Sequence, residues 1–97
     1  MKQPIQKQRS EQMVYKIIIE KKPLKLLETL PQAEKEKILK EIKSLAENPR
    51  KDGVIKLKDS DPSQYRTRQG NYRIVFEIKD DILVVLVIRI FIRGDEY

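Results

Sequence analysis

The chain has 97 residues, enough for one compact domain, and its 37% charged residues must lie largely outside a core drawn from the 39% that are hydrophobic. Its 21 Lys and Arg against 15 Asp and Glu give a net charge of +6, which points to a polyanionic partner, either nucleic acid or an acidic protein. The absence of Cys and His excludes disulfides, the common zinc-ligand sets and histidine acid–base chemistry, so no metal or other cofactor is implied.

In chain order, residues 1–12 are polar and aperiodic and read as a mobile N-terminal extension, leaving 13–97 as the domain. Met13–Glu20 is β-branched and aromatic, the composition of a first strand. Pro23 is placed to open a short helix in which Leu24, Leu27 and Leu30 recur at helical spacing. Leu30-Pro31 restarts the chain into a second helix with an apolar stripe of Ile38, Leu39, Ile42, Leu45 and Ala46. Asn48-Pro49 ends it, because the residue before proline avoids the helical region. The short connection predicts two helices in antiparallel contact. Strands follow at Val54–Lys58, Tyr65–Gln69, Tyr72–Lys79 and Ile82–Arg93, separated by turn-rich 59–63, a tight Gly70-Asn71 hairpin and an Asp80-Asp81 turn. The expected class is α+β: a strand, two antiparallel helices, then consecutive antiparallel strands in one sheet. The longest apolar stretch, Ile82–Ile88, is too short to span a bilayer and the start of the chain has no signal-peptide core, so a cytoplasmic protein with no membrane partner is expected.

Alternation along the strands sorts the side chains by face. Tyr72, Ile74, Phe76 and Ile78 form an apolar row, leaving Arg73, Val75, Glu77 and Lys79 opposite. A three-residue loop pairing Lys79 with Leu83 keeps apolar beside apolar and sets Arg73, Arg89 and Arg93 on one face, where Leu83, Val85, Val87 and Phe91 would join them. The Gly70-Asn71 turn pairs Gln69 with Tyr72, so Arg68 faces Arg73, with Arg66 two residues along. Like charges directly opposite destabilise a sheet. Phosphate is the natural neutraliser, since guanidinium forks hold it bidentately, and Phe91 among the arginines can stack on a base. The alternative is a solvated basic face with Glu77 as local counter-ion.

Tyr65-Arg66-Thr67-Arg68-Gln69-Gly70-Asn71-Tyr72-Arg73, with the run Ile82–Arg93, Lys56-Leu57-Lys58 and the Leu30-Pro31 and Asn48-Pro49 helix limits, resembles the RelE/ParE toxin superfamily. The resemblance spans about Tyr15 to Tyr97. It implies a RelE-like fold and, for the RelE branch, a toxin of a type II toxin–antitoxin system that cleaves mRNA in the ribosomal A site and pairs with a RelB-like antitoxin. Its implied catalytic set is Arg66, Arg68, Arg73, Arg93 and Tyr97, with Lys56, Lys58, Arg89 and Phe91 as RNA contacts. The implied chemistry is attack of a 2′-hydroxyl on its own 3′-phosphate, with Tyr97, Glu77 or Glu96 as proton acceptor. Arginine where some family members have lysine at positions 66 and 68, Phe91-Ile92 in place of a Gly-His pair, and Tyr97 as the final residue are departures from the pattern. A ParE-like inhibitor of DNA gyrase, without chemistry, and a plain RNA-binding module are the alternatives on the same fold.

Overall fold

The structure, a computed structural model, describes residues 14–94. The N-terminal extension read over 1–12, and Glu96 and Tyr97, lie outside the described residues. The elements are β1 (Lys16–Ile19), α1 (Lys21–Thr29), α2 (Gln32–Glu47), β2 (Ile55–Lys56), β3 (Tyr65–Gln69), β4 (Tyr72–Lys79) and β5 (Val84–Ile92). They build one mixed five-stranded sheet in the order β1-β5-β4-β3-β2, with β1 parallel to β5 and every other pairing antiparallel.

Both helices start and stop where backbone chemistry requires. Pro23 is buried in the first turn of α1, where its missing N–H is not needed. At the other end the Leu30 N–H still bonds the Leu27 carbonyl before Pro31 ends the run. Helix α2 ends at Asn48, whose N–H reaches the Ser44 carbonyl, and Pro49 follows. Of the α1 leucines expected inside, Leu27 is fully buried and Leu30 packs at the core margin, but Leu24 is 42% exposed, because the inward side of α1 is taken by Pro23, Leu26 and Leu27. In α2 the stripe holds, with Ile38, Ile42 and Leu45 all buried.

One core cluster joins these residues to Ile74, Phe76, Val85, Val87 and Ile90 on the sheet. At about 1.5–3 kcal/mol for each large side chain removed from water, this layer is the main stabilising term of the fold. The core also shows how β5 departs from simple alternation. Lys79 pairs with Val84 across a four-residue loop, not with Leu83 across three. A bulge then follows, because Phe76 pairs with Val87 but Val75 pairs with Arg89, leaving Ile88 as the extra residue. Val85 and Val87 therefore face the helices rather than sharing a face with Arg89 and Phe91. The extra loop residue and the bulge each shift the register by one, so together they restore parity, and Arg73 lands opposite Phe91. The expected strand over Val54–Lys58 is only Ile55–Lys56, since Lys58 already lies in the turn that carries Asp59 at φ 59°.

Candidate nucleic-acid interface

The helices cover the side of the sheet that carries Ile74 and Phe76. The other side is crossed by two rows set by register: Ile55, Arg66, Val75 and Arg89 in one, and Arg68, Arg73 and Phe91 in the next. Arg93 stands just past β5, where its N–H donates to the Asn71 carbonyl at 2.6 Å and so ties the end of β5 to the hairpin turn. Gly70 makes that turn possible by adopting φ 59°, the left-handed conformation that a two-residue hairpin loop requires and that glycine takes without strain. The expected Arg66, Arg68, Arg73, Arg89 and Phe91 are thus brought onto one face, with Arg93 at its end.

Their environments differ. Arg68, Arg89 and Arg93 are exposed and Arg66 is half-buried. The Arg89 guanidinium lies 4.6 Å from the centre of the Phe91 ring, a cation–π contact that holds a flat, cationic platform at the surface. Arg73 is only 7% exposed, and its Nη1 donates to the carbonyls of Gly70 at 3.2 Å and Tyr72 at 3.3 Å. It braces the hairpin tip from below. Across the sheet, Tyr72 donates to Glu34 at 3.0 Å, anchoring the same tip to α2. Burial and this carboxylate both raise the Tyr72 phenol above its usual range.

Two expected positions, Lys56 and Lys58, fall elsewhere. Lys56 pairs with Tyr65, which packs on the core side, so Lys56 belongs to the helix side of the sheet and Ile55 takes the place beside Arg66. Lys58 lies beyond the strand in an exposed turn. Glu77 does share the arginine face, but its carboxylate is held by Lys79 at 2.8 Å, away from the hairpin tip. Lys79 is pushed up by that contact.

A polar cluster that the sequence did not announce fixes the far end of the sheet. Asp80 accepts from Tyr15 at 2.6 Å and from both terminal nitrogens of Arg50 at 3.1 and 2.9 Å, while Arg50 sits 5.6 Å from the centre of the Tyr65 ring. The Arg50 guanidinium, followed by the Tyr15 hydroxyl, lowers the Asp80 carboxyl to about 2. The Tyr15 phenol is raised in turn, chiefly by its hydrogen bond to Asp80. Among the described residues no group of three or more Asp or Glu side chains converges as a metal site.

Comparison with known proteins agrees with this arrangement. The profile of the ParE toxin of type II toxin–antitoxin systems, parDE, matches residues 18–97. A chain of the archaeal RelE–RelB complex from Pyrococcus horikoshii OT3 is 30% identical over 86% of this chain and 99% of its own, with a TM-score of 0.73. The isolated E. coli RelE toxin is 25% identical over 84% and 87%, with a TM-score of 0.71. The RelBE2 toxin–antitoxin complex of Mycobacterium tuberculosis, at 20% identity and a TM-score of 0.74 over 86% and 95%, shares the fold. No curated protein sequence matches the chain. The helix-backed five-stranded sheet is the fold that the chain shares with these RelE structures. The chain belongs to the ParE toxin family of type II toxin–antitoxin systems.

Proposed function

We propose that this toxin is a ribosome-dependent endoribonuclease that cleaves mRNA in the A site. The observation that carries the reading is the open sheet face, where Arg66, Arg68, Arg73 and Arg89 occupy two adjacent rows beside Phe91. Such a face costs stability until an anion fills it, and phosphate is the anion that guanidinium groups match best. The RelE identity of the compared structures supports the ribonuclease branch.

In the proposed reaction the 2′-oxygen forms a bond to the adjacent phosphorus as the bond from phosphorus to the 5′-oxygen of the next nucleotide breaks. The products are a 2′,3′-cyclic phosphate and a 5′-hydroxyl. The nucleophile belongs to the substrate, so orientation and charge stabilisation supply most of the acceleration. Arg73 and Arg93, at the hairpin tip, hold the phosphate as its negative charge grows. Arg66 and Arg68 bind the flanking phosphates and stabilise the departing oxygen, while Phe91, backed by Arg89, receives a base. Arginine does not release its proton readily enough to act as the base. With Glu77 committed to Lys79, the proton acceptor is Tyr97 or Glu96. The natural restraint on such a face is a RelB-like antitoxin with an acidic segment, which neutralises the arginines and covers the half-exposed Ile18 on neighbouring β1.

Purified toxin incubated with programmed ribosomes should cut mRNA at the A site, leave cyclic-phosphate ends and retain activity in chelator. Cutting of a message with a 2′-deoxy sugar at the scissile position would overturn the mechanism. The profile's ParE description favours one second reading, a gyrase inhibitor. Inhibition of supercoiling by a protein that leaves programmed ribosomes intact would establish it.

A further inference from the structure

We propose that the toxin has a second RNA-binding surface, a lysine-lined groove on the helix side of the sheet that takes the ribose-phosphate backbone of ribosomal RNA; this extends the ribosome-directed reading above. The groove exists because the sheet edge is incomplete. Strand β2 pairs only with Tyr65 and Arg66 of β3, so the edge at Thr67–Gln69 is left without a neighbour and the flank of α2 above it is uncovered. The resulting trough, of about 480 Å³, is lined by Lys37, Lys40, Glu41, Ser44, Lys51 and Gln69. A smaller cavity of about 190 Å³ at the hairpin tip shares Lys37 and Gln69 with it.

The four α2 residues of the trough stand at i, i+3, i+4 and i+7, a single stripe beside the buried Ile38, Ile42 and Leu45. Their charges do not cancel. Glu41 is already engaged twice, by Lys51 Nζ at 3.0 Å and by the buried Thr67 hydroxyl at 2.5 Å. Glu34, the next carboxylate along this flank, accepts from Tyr72. Lys51 also donates to Ser44 at 2.7 Å, so its ammonium is fixed at the trough floor. Lys37 and Lys40 are exposed and, among the described residues, form no ion pair. Glu41 is balanced by Lys51, and the Glu34 carboxylate, though it keeps its charge, is drawn toward Tyr72, so Lys37 and Lys40 leave the concave, half-open surface with a net positive charge.

Position selects the partner. On β3, exposed Arg68 faces the arginine side and the next residue, Gln69, lines the trough. Positive charge therefore wraps round the bare edge of β3 from one side of the sheet to the other. A folded RNA presents phosphates in more than one direction and can engage both sides; a single extended message on the arginine face reaches one. The side-chain ammonium, a compact point charge on a flexible stem, suits backbone phosphates without sequence preference.

The test compares Lys37→Ala/Lys40→Ala with Lys25→Ala/Lys43→Ala, a control that removes the same charge from helix positions outside the trough. Affinity for purified 16S ribosomal RNA is measured across a salt series, and A-site cleavage at saturating ribosomes is measured separately. The trough variant should bind several-fold more weakly and lower the salt slope by about 1.5 to 2, against little change in the control. Its cleavage rate at saturation and its melting temperature should match wild type. Equal slopes in the two variants would overturn the second surface while leaving the nuclease reading intact. Trough-dependent binding by a protein that cuts no message would do the reverse. Loss of slope only when the arginine face is mutated as well would also overturn the proposal, since the trough would then contribute nothing of its own.

Discussion

Arg73 combines a buried position with a place in the proposed site, and replacing it separates the two. Arg73→Ala removes two methylenes from a side chain that is 7% exposed, worth about 1.6 kcal/mol at 0.8 per buried methylene. It also removes two hydrogen bonds to the Gly70 and Tyr72 carbonyls, whose 3.2 and 3.3 Å lengths place them at the weak end, about 0.5 kcal/mol each. Relief of repulsion from Arg68, directly across the ladder, returns roughly 0.2–1 kcal/mol. These contacts alone amount to a net loss of about 2 kcal/mol, or roughly a 10 °C fall in Tm for a domain of this size. Arg73→Met keeps the stem and removes the donors, so its stability should fall by less than about 1 kcal/mol. Both variants should lose about a hundredfold or more in single-turnover cleavage on programmed ribosomes, because in the proposed mechanism the charge they lack acts on the transition state. Urea unfolding and cleavage on the three proteins give the answer. Arg73→Met with wild-type cleavage would refute the catalytic role, and Arg73→Ala with an unchanged midpoint would refute the bracing role.

Other expectations follow from particular contacts. A carboxyl held low in the folded state stabilises it above the unfolded value of 3.8 and loses that contribution as pH falls towards about 2; Asp80→Asn should therefore melt below wild type at pH 7, with the gap closing between pH 4 and 2 in thermal scans. Deletion of Ile88, the extra residue of the β5 bulge, restores regular alternation without moving Arg89 or Phe91 to the other face; the variant should fold within about 1–2 kcal/mol of wild type, and an unfolded circular dichroism spectrum would refute the register. Asp59 holds φ 59° at an exposed turn, so Asp59→Gly should raise stability by about 0.5 kcal/mol, read as a small upward shift of the urea midpoint.

The parts of the fold that the sequence made legible are those written in local chemistry. Gly70-Asn71 sets a two-residue loop, and that loop alone places Arg68 opposite Arg73. Pro31 and Pro49 bracket α2, whose stripe repeats at 3.6 residues. The register of β5 was not legible because Ile82–Ile88 is apolar at every position. Either face could be the inner one, and neither a fourth loop residue nor a bulge leaves a mark in such a run. The parallel partner of β1 was hidden for the same reason: Ile17, Ile18 and Ile19 name no face. The side on which Lys56 lies was not legible, because β2 is two residues long, too short for alternation to show. Asp80 reads as a turn residue in isolation, and its partners Tyr15 and Arg50 are distant in sequence. The trough was present as the spacing of Lys37, Lys40, Glu41 and Ser44, but its depth comes from where β2 stops.

The pairing of Lys16 with Val84 has a consequence for how the toxin is made. Synthesis runs from the N-terminus, so β1 and both helices leave the ribosome before β5, yet β5 lies between β1 and β4. Until β5 has been synthesised, the first strand has no neighbour in the sheet and the arginines of β3 and β4 have no rigid floor. Contacts between segments far apart in sequence form late and slowly. A partial product released from a damaged message thus lacks the strand that joins the sheet, and only a toxin translated through β5 can assemble its basic face.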